Sequence, residues 1–215
     1  MSAMKIDLHV HTEFSKDSNT PLRRVVREAE RKELDGIAVT DHDTVEGFKR
    51  IKDMDHDLHI IPGIEITTDE GELLGLFVEK EIKKRCAEEV VDEVHRRGGL
   101  VIVPHPFDPF RGFKSWKQLD FDGIETFNSR NLLGAMNRKA ENYAEEVGCM
   151  RSAGSDAHTA WEIGKAYVKA DAENIDEFKK RFEEQDVEIH GIKSSPTSYI
   201  LGNFEKLKYK LLTDE

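Results

Sequence analysis

The sequence predicts a single α/β domain across residues 1–215, with helices packed outside a mostly parallel sheet. Two observations predict it. Short apolar runs alternate with amphipathic ones, giving six or seven βα units along the chain. The apolar runs also stop, again and again, in His, Asp or Glu, where packing alone asks for nothing of the kind. A barrel and an open doubly wound sheet both satisfy the alternation. Neither G-x-G-x-x-G nor P-loop spacing occurs, so the sequence makes no case for a nucleotide cradle.

The elements follow in order. "MKIDLHV" reads as a strand. "TPLRRVVREAERKELDG" reads as a helix capped by Thr20, with Pro21 at its first helical position, Leu22, Val25, Val26 and Ala29 on one face, and Gly36 as the stop. "GIAVT" is a strand and "TVEGFKRIKDM" a helix. "HIIPGIEIT" and "ELLGLFV" are strands joined by the turn "TDEG". "KKRCAEEVVDEVHRRGG" is a helix, "LVIVPH" a buried strand and "GIETF" a short one. "LLGAMNRKAENYAEEVG" is a helix and "MRSAGSD" a strand. "IDEFKKRFEEQ" and "VEIHG" form a last helix–strand pair. The tail "SPTSYILGNFEKLKYKLL" carries apolar residues at helical spacing.

Composition narrows the function classes. Hydrophobic residues make up 38% of the chain and charged ones 35%, as in a soluble, well-packed domain. The formal charge of −11 repels phosphate backbones, which argues against a nucleic-acid partner. The basic stretch Lys206, Lys208 and Lys210 reads as a solvated helix face. No segment is long and apolar enough for a membrane span, and no apolar h-region follows "MSAMK". The expectation is a cytoplasmic protein whose two cysteines, Cys86 and Cys149, are free thiols. The oligomeric state leaves no mark in the sequence.

The strand ends carry the chemistry. The first ends in "DLHVHT", with His9 and His11 on one side of the strand and Asp7 sharing that side. Asp17 follows. Later ends give Asp41, His42 and Asp43, then Glu65, then His105, then Glu125, Asn128 and Arg130, and finally Asp156 and His158. In parallel α/β folds such ends gather on one face. Each motif alone has a structural reading: Asp43 as a helix cap, Glu65 as a surface charge, His105 as a loop-ordering residue. Together, five of the nine histidines at strand ends point to a cluster of imidazole and carboxylate ligands for Mn, Zn or Fe. His56, His59, His95 and His190 fall elsewhere and read as structural or solvated.

On "DLHVHTEFSKDS", "TDHDT", "PGIEIT", "PHP" and "GSDAH", in that order, most of the chain resembles the PHP (polymerase and histidinol phosphatase) family of metal-dependent phosphoesterases. The resemblance implies a distorted (β/α)7, TIM-like barrel with two to three divalent ions at the C-terminal strand ends. It implies a first ion on His9, His11, Asp156 and Glu65, with Glu65 bridging to a second ion on His105. A third ion would lie on Asp17, His42 and His158. An ion-bridging hydroxide would attack phosphorus, with Asp7 and Asp41 orienting imidazoles from behind. Many members carry a further histidine in the hairpin, where this chain has Glu72, and another after the fifth strand, where it offers Glu125 and Asn128.

The function implied is hydrolysis of a small phosphomonoester or phosphodiester, such as a nucleotide or metabolite phosphate. Arg130, Asn128 and Lys193 are candidates for holding that substrate. A nuclease module and a non-catalytic metal-binding barrel are the alternatives. The run Phe107, Phe110, Phe113 and Trp116 reads either as a lid or as core beneath a loop.

Overall fold

A computed structural model describes residues 3–109, 111, 115–131 and 133–195 of the chain. The expected tail helix, its lysines, Phe110 and Phe113 fall outside these residues. The chain runs β1 (Ala3–Val10), α1 (Leu22–Arg31), β2 (Gly36–Val39), α2 (Glu46–Ile51), β3 (His59–Thr67), β4 (Glu72–Leu76), α3 (Ala87–Arg96) and β5 (Leu100–Val103). It continues through β6 (Gly123–Asn128), α4 (Gly134–Val147), β7 (Met150–Gly154), β8 (Ala166–Asp171), α5 (Ile175–Glu183) and β9 (Glu188–Gly191).

The nine strands form one sheet in the order β7-β6-β5-β4-β3-β2-β1-β8-β9. Only β4 and β8 run against the rest, so seven strands share one direction, in keeping with a mostly parallel sheet. The sheet curls until β7 lies against β1, β8 and β9. At the C-terminal end the seam is stitched by Asp156 N–H to the His9 carbonyl at 2.8 Å and by His11 N–H to the Ala157 carbonyl at 3.0 Å. The result is a nearly closed barrel.

Three apolar clusters divide the core. Ile6, Leu8, Ala38, Ile61, Leu74 and Ile102 meet along one face of the sheet, joined by Phe178 and Phe182 from α5. The opposite face packs against α1 and α2 through Val10, Ile37 and Val39, and against α3 and α4 through Ile64, Val101 and Ile124. Burying a side chain such as Ile61 or Leu74 is worth about 1.5–3 kcal/mol, so these clusters dominate the stability of the barrel.

Several sequence expectations need correction. Pro21, not Thr20, takes the N-cap position of α1, and the first helical amide, Leu22 N–H, donates to Glu13 Oε1 at 3.1 Å. The Thr20 hydroxyl donates instead to the His158 carbonyl at 3.1 Å, tying the helix entry to the strand-end loops. Gly36 does not close α1. It opens β2, where a Cβ would stand 2.4 Å from the His59 carbonyl oxygen. Asp43 caps no helix, since its carboxylate accepts from Thr67 N and Oγ1 at 3.0 and 2.9 Å. The strand β8 carries no strong sequence signal, because its buried positions are mostly alanine, Ala166 and Ala170 beside Val168. Phe107 and Trp116 prove to be core: they meet edge-to-face at 5.7 Å in the cluster beneath α3 and α4.

Candidate metal centre

A slip in register places the first two histidines. The pairing of β1 with β2 shifts between Asp7 and Val10. Below the shift, Ile6 and Leu8 join the cluster containing Ala38 and Ile61; above it, Val10 joins the cluster under α1. The shift turns His9 and His11 toward the face that Leu8 covers, the re-aiming that bulges beside functional sites perform. Asp7 is thereby out of phase with them. It does not share their face or hold an imidazole. Its carboxylate instead accepts the backbone N–H groups of His9, Ser155 and Gly164 at 3.3, 2.9 and 2.8 Å. Burial pushes its pKa up to about 6 against the pull of those bonds. Asp41 likewise contacts no imidazole: it binds Thr12 N and Oγ1 at 2.6 and 2.7 Å. Both carboxylates brace the loops that carry ligands, because the backbone donors reach them first.

The remaining candidates converge. His9 Nε2 lies 3.1 Å from His11 Nε2, 3.5 Å from Glu65 Oε2 and 3.8 Å from Asp156 Oδ1. His11 Nε2 stands 3.2 Å from the same Glu65 oxygen and 3.5 Å from the same Asp156 oxygen. A second group joins His11, Asp17, His42 and His158. Asp17 Oδ2 lies 2.8 Å from His158 Nε2 and 3.3 Å from His42 Nε2. On the far side, His105 Nε2 faces the other Glu65 oxygen at 3.4 Å. His9, His11, Glu65, His105 and Asp156 are essentially without solvent exposure. His105 and Asp156 both adopt the left-handed backbone region, φ 34° and 53°, which for residues with a side chain stores strain and is characteristic of functional sites.

The donor set fits divalent ions. Atoms sharing an ion through bonds of about 2.0–2.2 Å stand roughly 3.0–3.6 Å apart, close to the spacings above. Buried atoms of this group also lack hydrogen-bond partners, notably His42 Nδ1, His105 Nδ1 and Glu65 Oε1. Leaving such an atom unmet costs roughly 1–3 kcal/mol, and an ion at Glu65 would meet its Oε1.

Other residues hold the candidate ligands in place. Glu125 binds His9 Nδ1 at 3.0 Å and accepts His105 N–H at 3.0 Å, so its carboxylate is spent behind the ligands. That contact leaves His9 Nε2 free to face the cluster. Ser15 Oγ does the same for His11 Nδ1 at 3.2 Å, and the Asp156 carbonyl for His158 Nδ1 at 2.9 Å. Asn128, a candidate for substrate, is fully buried and donates to Glu125 and Asp156 at 2.7 and 3.1 Å, behind the ligand layer. Arg130 lies at the mouth, its guanidinium 3.4 Å from the Asp156 carbonyl. Lys193 is exposed beside Gly134 at the start of α4, next to Ser194, whose N–H binds the Ser129 carbonyl at 2.7 Å. Arg111 escaped the sequence reading, yet it pairs with the Asp156 carboxylate and with Asp108. It lies in mid-loop, away from any strand end, which is why the strand-end rule does not find it.

Charge is unevenly shared. Burial opposes charging of His9, but Glu125, Glu65 and Asp156 outweigh it and hold its pKa well above the usual imidazole value. Burial opposes it in His11 too, yet hydrogen bonds to Asp156 and Glu65 raise its pKa to about 9. Asp156 stays ionised despite burial, through Arg111 and His9. Burial and the neighbouring Glu65 raise the pKa of Glu72. An ion must displace the imidazole protons, so divalent affinity is expected to climb with pH until about 9, with proton release on binding. The metal-free protein should behave oppositely. A raised folded-state pKa stabilises below the usual 6.5 and loses that contribution as pH rises through about 9. Thermal unfolding at pH 6.5 and pH 9, with and without Mn²⁺, checks both signs.

Known proteins resemble this chain in sequence and in fold. A family model described as PHP-associated matches residues 134–187. Two uncharacterized proteins of Methanocaldococcus jannaschii, MJ1587 and MJ0417, are 35% and 36% identical over 155 and 183 residues. Those matches cover 65% and 80% of this chain, and 90% and 73% of the relatives. Among solved structures, a two-domain Bacteroides vulgatus protein containing a predicted PHP-like metal-dependent phosphoesterase superposes with a TM-score of 0.70 at 19% identity, over 89% of this chain and 65% of that one. A lesion-specific endonuclease of Pyrococcus furiosus gives 0.68 at 14% identity, over 87% of this chain and 58% of that one. This chain thus spans roughly two thirds or less of either solved neighbour, and at such identities the likeness is one of fold. With the fold, the ordered His/Asp/Glu cluster and these relatives in agreement, the chain belongs to the PHP domain family.

Proposed function

We propose that this protein is a divalent-metal-dependent phosphoesterase acting on a small phosphorylated substrate, a phosphomonoester or a small phosphodiester. The observation that carries the reading is the meeting of His9 Nε2, His11 Nε2, Glu65 Oε2 and Asp156 Oδ1 within 3.1–3.8 Å of one another along the measured pairs. The chemistry that divalent ions supply at such a cluster is Lewis acidity toward a phosphoryl oxygen and activation of water at neutral pH. His9, His11, Asp156 and Glu65 would hold one ion, Glu65 and His105 a second, and Asp17, His42 and His158 a third.

The chain does the rest. Glu125 and Ser15 fix the tautomers of His9 and His11 so that both Nε2 lone pairs face inward. The layer of Ile6, Leu8 and Ile61 beneath them keeps that end of the site dry and strengthens every charge interaction above it. Arg130 would offer a guanidinium suited to a substrate phosphate, and Lys193 a second positive charge toward it. Both cysteines are free, in keeping with a reducing, cytoplasmic setting. Among the described residues, no helix is long and apolar enough to cross a membrane.

The test is phosphate release by metal-stripped protein resupplied with Mn²⁺, across phosphomonoesters, nucleotides and small diesters, beside His9→Ala. Release that vanishes in His9→Ala supports the reading. Failure of the loaded wild type on the whole panel contradicts it. The fold shared with an endonuclease favours one second reading, cleavage of DNA. The charge of −11 weighs against it, and a damaged oligonucleotide in the same assay decides.

A further inference from the structure

One carboxylate at the cluster has so far been given no work. Glu72 opens β4, directly opposite Thr67 across the β3–β4 hairpin, and its side chain is 22% exposed. Its two oxygens face two different histidines: Oε1 lies 3.6 Å from His42 Nδ1, and Oε2 lies 3.7 Å from His105 Nε2. Of the buried atoms without hydrogen-bond partners, His42 Nδ1 borders it, and Glu65, whose Oε1 is another, shares a potential ion-holding group with Glu72 and His42. His105 Nε2 is also 3.4 Å from that orphaned Glu65 oxygen. His105 Nε2 thus stands between a Glu65 oxygen at 3.4 Å and a Glu72 oxygen at 3.7 Å, and Glu72 also gathers with His42 and Glu65 closely enough to share an ion.

We infer that Glu72 is a ligand of the second ion, completing with Glu65 and His105 a site of two carboxylates and one imidazole. A carboxylate placed at 3.7 Å from an imidazole nitrogen that itself faces an orphaned carboxylate oxygen is too far for a hydrogen bond and well spaced to share an ion. The His9, His11, Glu65 and Asp156 position has two imidazoles. The Glu72 position has one and is harder, so it discriminates against Mn²⁺ relative to Zn²⁺ less than its neighbour does. Ion selectivity is thereby divided within one centre.

This inference rests on the proposed metal centre, and metal content separates the two claims without reference to activity. Wild type, Glu72→Gln and Glu72→His are stripped, reloaded with Mn²⁺ or Zn²⁺, desalted and analysed for bound metal, with affinities from calorimetry. Thermal unfolding of the metal-free forms confirms that each variant folds. Glu72→Gln should lose one equivalent of Mn²⁺, or bind it roughly 10–100-fold more weakly. Glu72→His should regain the equivalent with its preference moved toward Zn²⁺. Wild-type content and affinity in Glu72→Gln would overturn the inference while leaving the centre intact. Absence of bound metal in the wild type would overturn both.

Discussion

Glu65→Gln is expected to cripple the metal centre more than any other single change at it. The carboxylate reaches four histidines, His9, His11, His42 and His105, at 3.2–3.5 Å. His9, His11 and His42 are held toward the charged form by the carboxylates around them, and Glu65 itself stays ionised: burial opposes its charge, but His9, His105 and His11 outweigh burial. A neutral amide removes the one group shared by all four. Breaking a buried charge pair from one side costs about 3–5 kcal/mol, so metal-free Glu65→Gln should unfold at markedly lower denaturant than wild type. Its loss of Mn²⁺ affinity should exceed the roughly 10–100-fold typical of residues that only orient ligands. Equilibrium unfolding and calorimetry read the two effects. A variant with wild-type Mn²⁺ affinity would remove Glu65 from the centre.

Gly154→Ala should damage the same centre from behind. A Cβ at Gly154 would stand 2.2 Å from His9 Cβ, 3.0 Å from His9 N and 2.9 Å from a Glu125 carboxylate oxygen. Two of those atoms are backbone or Cβ, which no rotamer change can clear. The methyl must push β7 from β1 at the seam where Asp156 and Ala157 bind His9 and His11. Overpacking of this kind costs about 1–3 kcal/mol. It should also weaken ion binding, because Asp156 is carried two residues further along. Unchanged denaturant midpoint and Mn²⁺ affinity in Gly154→Ala would show that the seam is looser than its contacts indicate.

The strand-end histidines and carboxylates were legible because a barrel imposes a simple rule: a residue at the C-terminal end of a strand faces the common mouth. His9, His11, His42, Glu65, His105 and Asp156 obey it, and the structure brings them together with Asp17 and His158. Contacts that depend on chain geometry were not legible. The register slip after Asp7 reverses which neighbours share a face, so a count of alternating positions put Asp7 beside the imidazoles when backbone amides claim it. Orientation of His9 by Glu125 needs two strands far apart in sequence, and so does the pairing of Arg111 with Asp156. In the fold, β8 was lost because alanines make a weak apolar run, although they suffice where α5 and β1 cover them. Thr20 follows the usual preference for helix caps in type only, since its hydroxyl finds the His158 carbonyl instead.

The central claim is that the strand ends of this barrel hold divalent ions. Crystals of the full chain grown with Mn²⁺ and measured at an anomalous wavelength test it most directly. The account predicts a strong anomalous peak bounded by His9 Nε2, His11 Nε2, Glu65 and Asp156, and a second beside His105 and Glu65. A difference map with no anomalous peak at either place, from protein shown to be folded and soaked in excess Mn²⁺, would contradict it.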